Sequence, residues 1–175
     1  MSGIFFKNVV CNCGKKARNL TPALPSNKIN VFNTAIGSYD CPENITLFEN
    51  PFNSGGSFTS NNNEVKNNWD RETVSCSNLD ELLYEKIINL KNINRIVLKI
   101  DVEGYELKVL AGSKKILNKF FPIILIEARP NINMYKKIYA LLPENYKIFD
   151  ASEFLFGKSN KLIDNDLVCL PLKEN

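Results

Sequence analysis

The clearest hydrophobic rhythm in the chain runs from residue 77 to residue 127. Leu79, Leu82, Leu83, Ile87 and Leu90 recur at helical spacing and form one apolar stripe. Ser77-Asn78-Leu79-Asp80 stands in front of it as a capping box, with Ser77 as N-cap. Residues 96–100 then read as a strand, and a helical pattern follows over about 105–119. Leu107, Leu110 and Leu117 fall on one side of that helix, and Val109, Ile116 and Phe120 widen its apolar face. Pro122-Ile123-Ile124-Leu125-Ile126-Glu127 is apolar without alternation, which predicts a strand buried on both faces of a parallel sheet. Ile132, Tyr135, Ile138, Tyr139 and Leu142 predict another helix. Tyr146 to Phe149 and Leu167 to Leu170 predict two closing strands joined by a long loop.

The first third is less regular. Residues 1–27 carry no clear pattern, and Ile29 to Phe32 reads as a strand. Asn44 to Glu49 and residues 72–76 have strand character, whereas Asn50 to Asn68 is rich in Gly, Ser and Asn and reads as a loop. The order strand, helix, strand, helix, strand predicts a doubly wound α/β fold, a single domain over residues 1–175.

Composition narrows the function classes. A net charge of +3 spread along the chain argues against a nucleic-acid partner. No apolar run approaches membrane-spanning length, so no membrane partner is expected. Five cysteines fit no zinc spacing, so the expectation is reduced thiols, no metal and a cytoplasmic protein. Cys76 and Cys169 fall in strand-like segments, where a buried thiol is the usual case. Histidine is absent, which excludes a Ser-His-Asp or Cys-His mechanism within this chain.

Chemistry concentrates where the strand at 96–100 ends, in Asp101-Val102-Glu103-Gly104. Ligands of open α/β sheets bind at the carboxyl ends of parallel strands. Asp101 at such an end can position or deprotonate an acceptor hydroxyl, and Glu103 can help orient it. Either one can instead cap the following helix, and the residues alone leave both readings open. Lys99 on the same strand can pair with a carboxylate. Glu127 ends the next strand, and Arg129 just beyond it can hold a negative group; a surface ion pair explains these two equally well.

Ile100-Asp101-Val102-Glu103-Gly104-Tyr105-Glu106, followed by Val109-Leu110-Ala111-Gly112, resembles the central signature of FkbM-type methyltransferases. Asn33-Thr34-Ala35-Ile36-Gly37, Asn53-Ser54-Gly55-Gly56-Ser57, Ser77 to Leu83 and Pro122 to Glu127 are similar to further family segments, in the same order. The resemblance covers residues 29–171, with 1–28 poorly matched. It implies a Rossmann-like class I methyltransferase sheet with helices on both faces. It also implies S-adenosylmethionine as cofactor and methylation of a hydroxyl on a small molecule or carbohydrate. On this reading Asp101 and Glu103 are catalytic, and Lys99, Glu127 and Arg129 bind the acceptor. Ala35, Ile36 and Asp101 lie toward the cofactor.

The sequence departs from the family at one place. The glycine turn of Asp-x-Gly-Ala-Asn-x-Gly type, which receives the methionine end of the cofactor, has no counterpart in the chain. The early glycines are Gly3 and Gly14, in other contexts. The expectation is therefore a domain truncated at its N-terminal unit. The alternative function is a non-catalytic remnant that serves as an interaction module.

Overall fold

The computed structural model describes residues 32, 34–50, 53–59, 70–85, 96–102, 104–127, 132–157 and 166–172. Four strands, β1 (Thr34–Gly37), β2 (Asn44–Asn50), β3 (Asn53–Thr59) and β4 (Asp70–Asn78), make one sheet in the order β1-β4-β2-β3. β1 runs parallel to β4, and β2 pairs antiparallel with β3 and β4. The other four, β5 (Val97–Ile100), β6 (Ile123–Glu127), β7 (Tyr146–Asp150) and β8 (Asp166–Pro171), make a second sheet in the order β5-β6-β8-β7. There β5 and β6 are parallel, and β8 is antiparallel to β6 and β7. The α/β class holds, but both described sheets are mixed rather than wholly parallel.

Five helices complete the described elements: α1 (Leu79–Glu85), α2 (Glu106–Ala111), α3 (Lys114–Phe120), α4 (Ile132–Leu141) and α5 (Ala151–Phe156). The main core gathers one face of the second sheet, Ile100, Ile124, Ile126, Leu167 and Cys169, against Leu110, Ile116, Leu117 and Ile138 of the helices. Leu79, Leu82 and Leu83 of α1 and Ile36 of β1 join it, so the described part of the predicted stripe faces the core, while Ile87 and Leu90 lie outside the described residues. Ala35, Leu47 and Val74 form a smaller cluster on the other side of the first sheet.

Several expectations are corrected. The Gly- and Ser-rich stretch expected as a loop contains β3, at the edge of the described sheet, whose backbone pairs with β2. The strand expected at Ile29 to Phe32 falls largely outside the described residues, and β1 begins at Thr34. β6 alternates instead of being buried on both faces: Ile124 and Ile126 are fully buried, while Ile123 and Leu125 are 38% and 37% exposed. Val97, in register with Ile123, is 37% exposed on the same side. Alternation follows because the described helices pack on the Ile124–Ile126 side of these two strands. The link between the closing strands contains α5, capped by Asp150, whose carboxylate accepts the N–H groups of Ser152 and Glu153. Phe154 of α5 packs on Phe149 with ring centroids 5.6 Å apart.

The single helix expected over 105–119 is two helices, broken at Gly112 and Ser113. A Cβ on Gly112 would overlap the carbonyl oxygen of Gly37 and stand 2.9 Å from the Cβ of Asn78. Glycine is there for close approach, and α2 thereby ends directly against β1. Asp80, expected in a capping box led by Ser77, has a different partner. Its carboxylate accepts the N–H groups of Lys115 at 2.7 Å and Ile116 at 2.9 Å, capping α3 across the fold. The Tyr39 hydroxyl also donates to it. Ser113, next to the break, donates instead to the Val109 carbonyl at 2.6 Å. The capping box of α1 is shifted by one residue: Asn78 accepts from the Glu81 N–H at 2.8 Å, and its amide donates to the Glu81 carboxylate at 3.1 Å.

Candidate functional site

Parallel pairing of β5 and β6 sets Lys99 opposite Leu125 and Ile100 opposite Ile126. The next residue on each strand is an acid, Asp101 and Glu127, and their carboxyl groups are joined by a hydrogen bond. β8 runs the other way and sets Asp166 opposite Glu127, so a third carboxylate enters at the same end of the sheet. Lys99 closes the group, its Nζ 2.8 Å from Oδ2 of Asp101. Three sequence-predicted residues, Lys99, Asp101 and Glu127, are thus brought together, and Asp166 is a member that sequence reading missed. Its one signal was an acid immediately before the apolar run 167–170.

Electrostatics follow from this geometry. The hydrogen bond from Lys99 holds the Asp101 carboxyl below its ordinary value; burial opposes this, and the bond with Glu127 reinforces it. The same bond raises Lys99 above its ordinary value, against a smaller opposing effect of burial, with Asp166 and Glu127 adding attraction. Both side chains keep contact with solvent, at 62% exposure for Lys99 and 40% for Asp101. The cluster carries more negative than positive groups at an open strand end, so it favours a cationic or hydroxyl-bearing ligand.

The turn after β5 is built by two other residues of the run. Gly104 has φ of 96°, a conformation open to glycine and strained for other residues. Its N–H donates to Oε1 of Glu106 at 2.8 Å. Glu106 is 4% exposed, and this bond ties the turn to the first residue of α2. The N-cap of α2 is Tyr105, with no side-chain cap bond. Asp101 therefore does not cap this helix, and its described bonds point to its neighbours at the strand ends.

The remaining sequence-predicted residues are placed as follows. Ala35 and Ile36 are each 5% exposed and point to opposite faces of β1, Ala35 against Leu47 and Val74, Ile36 into the main core. Glu103 and Arg129 lie outside the described residues. Cys169 is buried as expected, whereas Cys76 is half-buried. Among the described residues no group of three or more Cys, Asp or Glu side chains has the geometry of a metal site. No described helix is long and apolar enough to cross a membrane.

The sequence model of the methyltransferase FkbM domain matches residues 4–149. The chain is also similar to the crystal structure of a methyltransferase FkbM from Methylobacillus flagellatus KT, with 17% identity and a TM-score of 0.42. That similarity covers 77% of this chain and 28% of the other, so this chain spans under a third of that protein's length. No curated protein matches the chain.

Proposed function

The chain belongs to the FkbM methyltransferase family, and on that premise we propose that it transfers a methyl group from S-adenosylmethionine to a hydroxyl oxygen of a small molecule or sugar. The observation that carries the proposal is the cluster of Lys99, Asp101, Glu127 and Asp166 at the ends of β5, β6 and β8. The cluster fits the cofactor in charge, since three carboxyl groups surround one ammonium and the cofactor's sulfonium and ammonium outweigh its single carboxylate. When bound, the cofactor supplies an activated methyl group and its own leaving group.

The protein's part is to hold the acceptor oxygen and take its proton. Lys99 keeps Asp101 ionised, which makes it a firm hydrogen-bond acceptor and a weak base. Such a carboxylate orients the hydroxyl first. It takes the proton late, once the oxygen has become acidic by gaining a methyl group. Glu127 fixes where Asp101 points, and Glu127 and Asp166 supply further acceptors for a polyhydroxylated molecule. Glu103 and Arg129 enter by sequence position alone, and Ala35 and Ile36 enter as buried supports of β1. A cytoplasmic setting and a freely diffusing acceptor belong to the same proposal.

A second reading, a non-catalytic interaction module, is favoured by one observation: Val97 of β5 and Ile123 and Leu125 of β6 expose an apolar face on one side of these paired strands. Incubating the purified chain with methyl-labelled S-adenosylmethionine and a panel of sugars and hydroxylated small molecules separates the two. Label on a product oxygen, with matching release of S-adenosylhomocysteine, supports the enzyme. No release with any acceptor from a folded sample favours the module.

A further inference from the structure

Cys41 and Cys76 share the space that Gly37, lacking a side chain, leaves at the end of β1. A Cβ built on Gly37 would stand 2.9 Å from the Cβ of Cys41, 3.2 Å from the Sγ of Cys76 and 3.5 Å from the Sγ of Cys41. The two thiols are joined by a hydrogen bond. Their backbones are fixed independently: the Cys41 N–H donates to the Ser38 carbonyl at 3.0 Å, and the Cys76 N–H to the Glu43 carbonyl at 2.8 Å. Both are half-buried and therefore reachable, unlike Cys169, which is fully enclosed.

We propose that Cys41 and Cys76 form a dithiol site that exchanges with small disulfides, closing to an intramolecular disulfide and reopening under reducing conditions. This is independent of the methyl-transfer reading. Burial, reinforced by Cys41, pushes the Cys76 thiol up to about 12, so Cys76 keeps its proton until late. Cys41, in the turn, is the attacking sulfur. Its thiolate attacks one sulfur of a disulfide such as oxidised glutathione, forming a mixed disulfide and expelling one thiolate. Cys76 then gives up its proton and attacks the Cys41 sulfur, expelling the second. Two protein thiols are oxidised, one external disulfide is reduced to two thiols, and the two protons leave with those thiols.

The bridge would staple the base of an antiparallel unit. Cys41 precedes β2, Cys76 lies near the end of β4, and the pairing of Asn44 with Ser75 lies beside them. Closing a long loop in the unfolded chain stabilises the folded one.

Peptide mapping with mass spectrometry tests this on the full chain, equilibrated with oxidised glutathione and then alkylated. The expected result is a linked peptide pair containing Cys41 and Cys76, with loss of both alkylation sites and recovery of both on adding dithiothreitol. The melting temperature rises on oxidation in the wild type and in Cys169→Ser, and does not rise in Cys41→Ser. Full alkylation of both thiols, stable glutathione adducts without a link, or linkage of either to another cysteine would overturn the proposal.

Discussion

Asp101 and Glu127 meet side by side at the ends of two parallel strands, with a hydrogen bond between their carboxyl groups. Neither lies near the other in sequence; the register of β5 and β6 makes them neighbours. The flanking ammonium of Lys99 holds Asp101 as a carboxylate, which suits it to accept a hydrogen bond from a hydroxyl. Replacing Asp101 by Asn keeps the shape and removes the charge. Turnover of the acceptor is expected to fall by roughly 10²- to 10⁴-fold, with an unchanged circular dichroism spectrum. Unaltered turnover would separate Asp101 from the chemistry.

The Lys99–Asp101 pair has a defined pH window. Asp101 is lowered from 3.8 in the fold, so its contribution is present above that value and is lost as pH falls through the lower folded value. Lys99 is raised from 10.5, so its contribution is present below that value and is lost as pH rises through the higher folded one. Between these limits stability should not depend on the pair's ionisation, and the whole effect is about 0–1 kcal/mol because both groups are exposed. Lys99→Met should raise the midpoint of the Asp101 carboxyl carbon titration by NMR. A midpoint that stays put would show that Lys99 does not set it.

Asp80 ties three parts of the fold together through one buried carboxylate. Asp80→Ala strands two backbone N–H groups at the start of α3 and the Tyr39 hydroxyl. The expected loss is about 3 kcal/mol, read as a lower midpoint in urea unfolding. Tyr39, whose hydroxyl is pushed up to about 12 by burial and by its bond to Asp80, should then titrate closer to the ordinary value of 10.0.

Gly112→Ala places a methyl group where the Gly37 carbonyl stands. The obstacle is backbone and cannot rotate away. A loss of about 3 kcal/mol or more is expected, with the largest amide shifts in NMR at Gly37, Asn78 and Gly112. A neutral substitution would show that α2 and β1 are not in this contact.

Much of this architecture was legible because periodicity is local. The stripe of α1, the strand before Asp101 and the run 123–127 each carry their own pattern. The strand-end acids could be named for the same reason, since a parallel strand announces its own end. What escaped depended on distant partners. Asp80 looks like a cap for α1 in sequence and caps α3 in space. Gly112 breaks a helix pattern because of Gly37, which no spacing rule connects to it. β3 is held by its backbone, so its polar composition concealed it. Asp166 joins the site through an antiparallel register that sequence alone does not reveal.

The most direct test is calorimetric titration of the full chain with S-adenosylmethionine, alongside Asp101→Asn. The account predicts saturable binding to the folded wild-type chain, weakened in the variant because an anionic group facing the cofactor's positive charge is lost. A folded wild-type sample giving no heat at millimolar cofactor would contradict it.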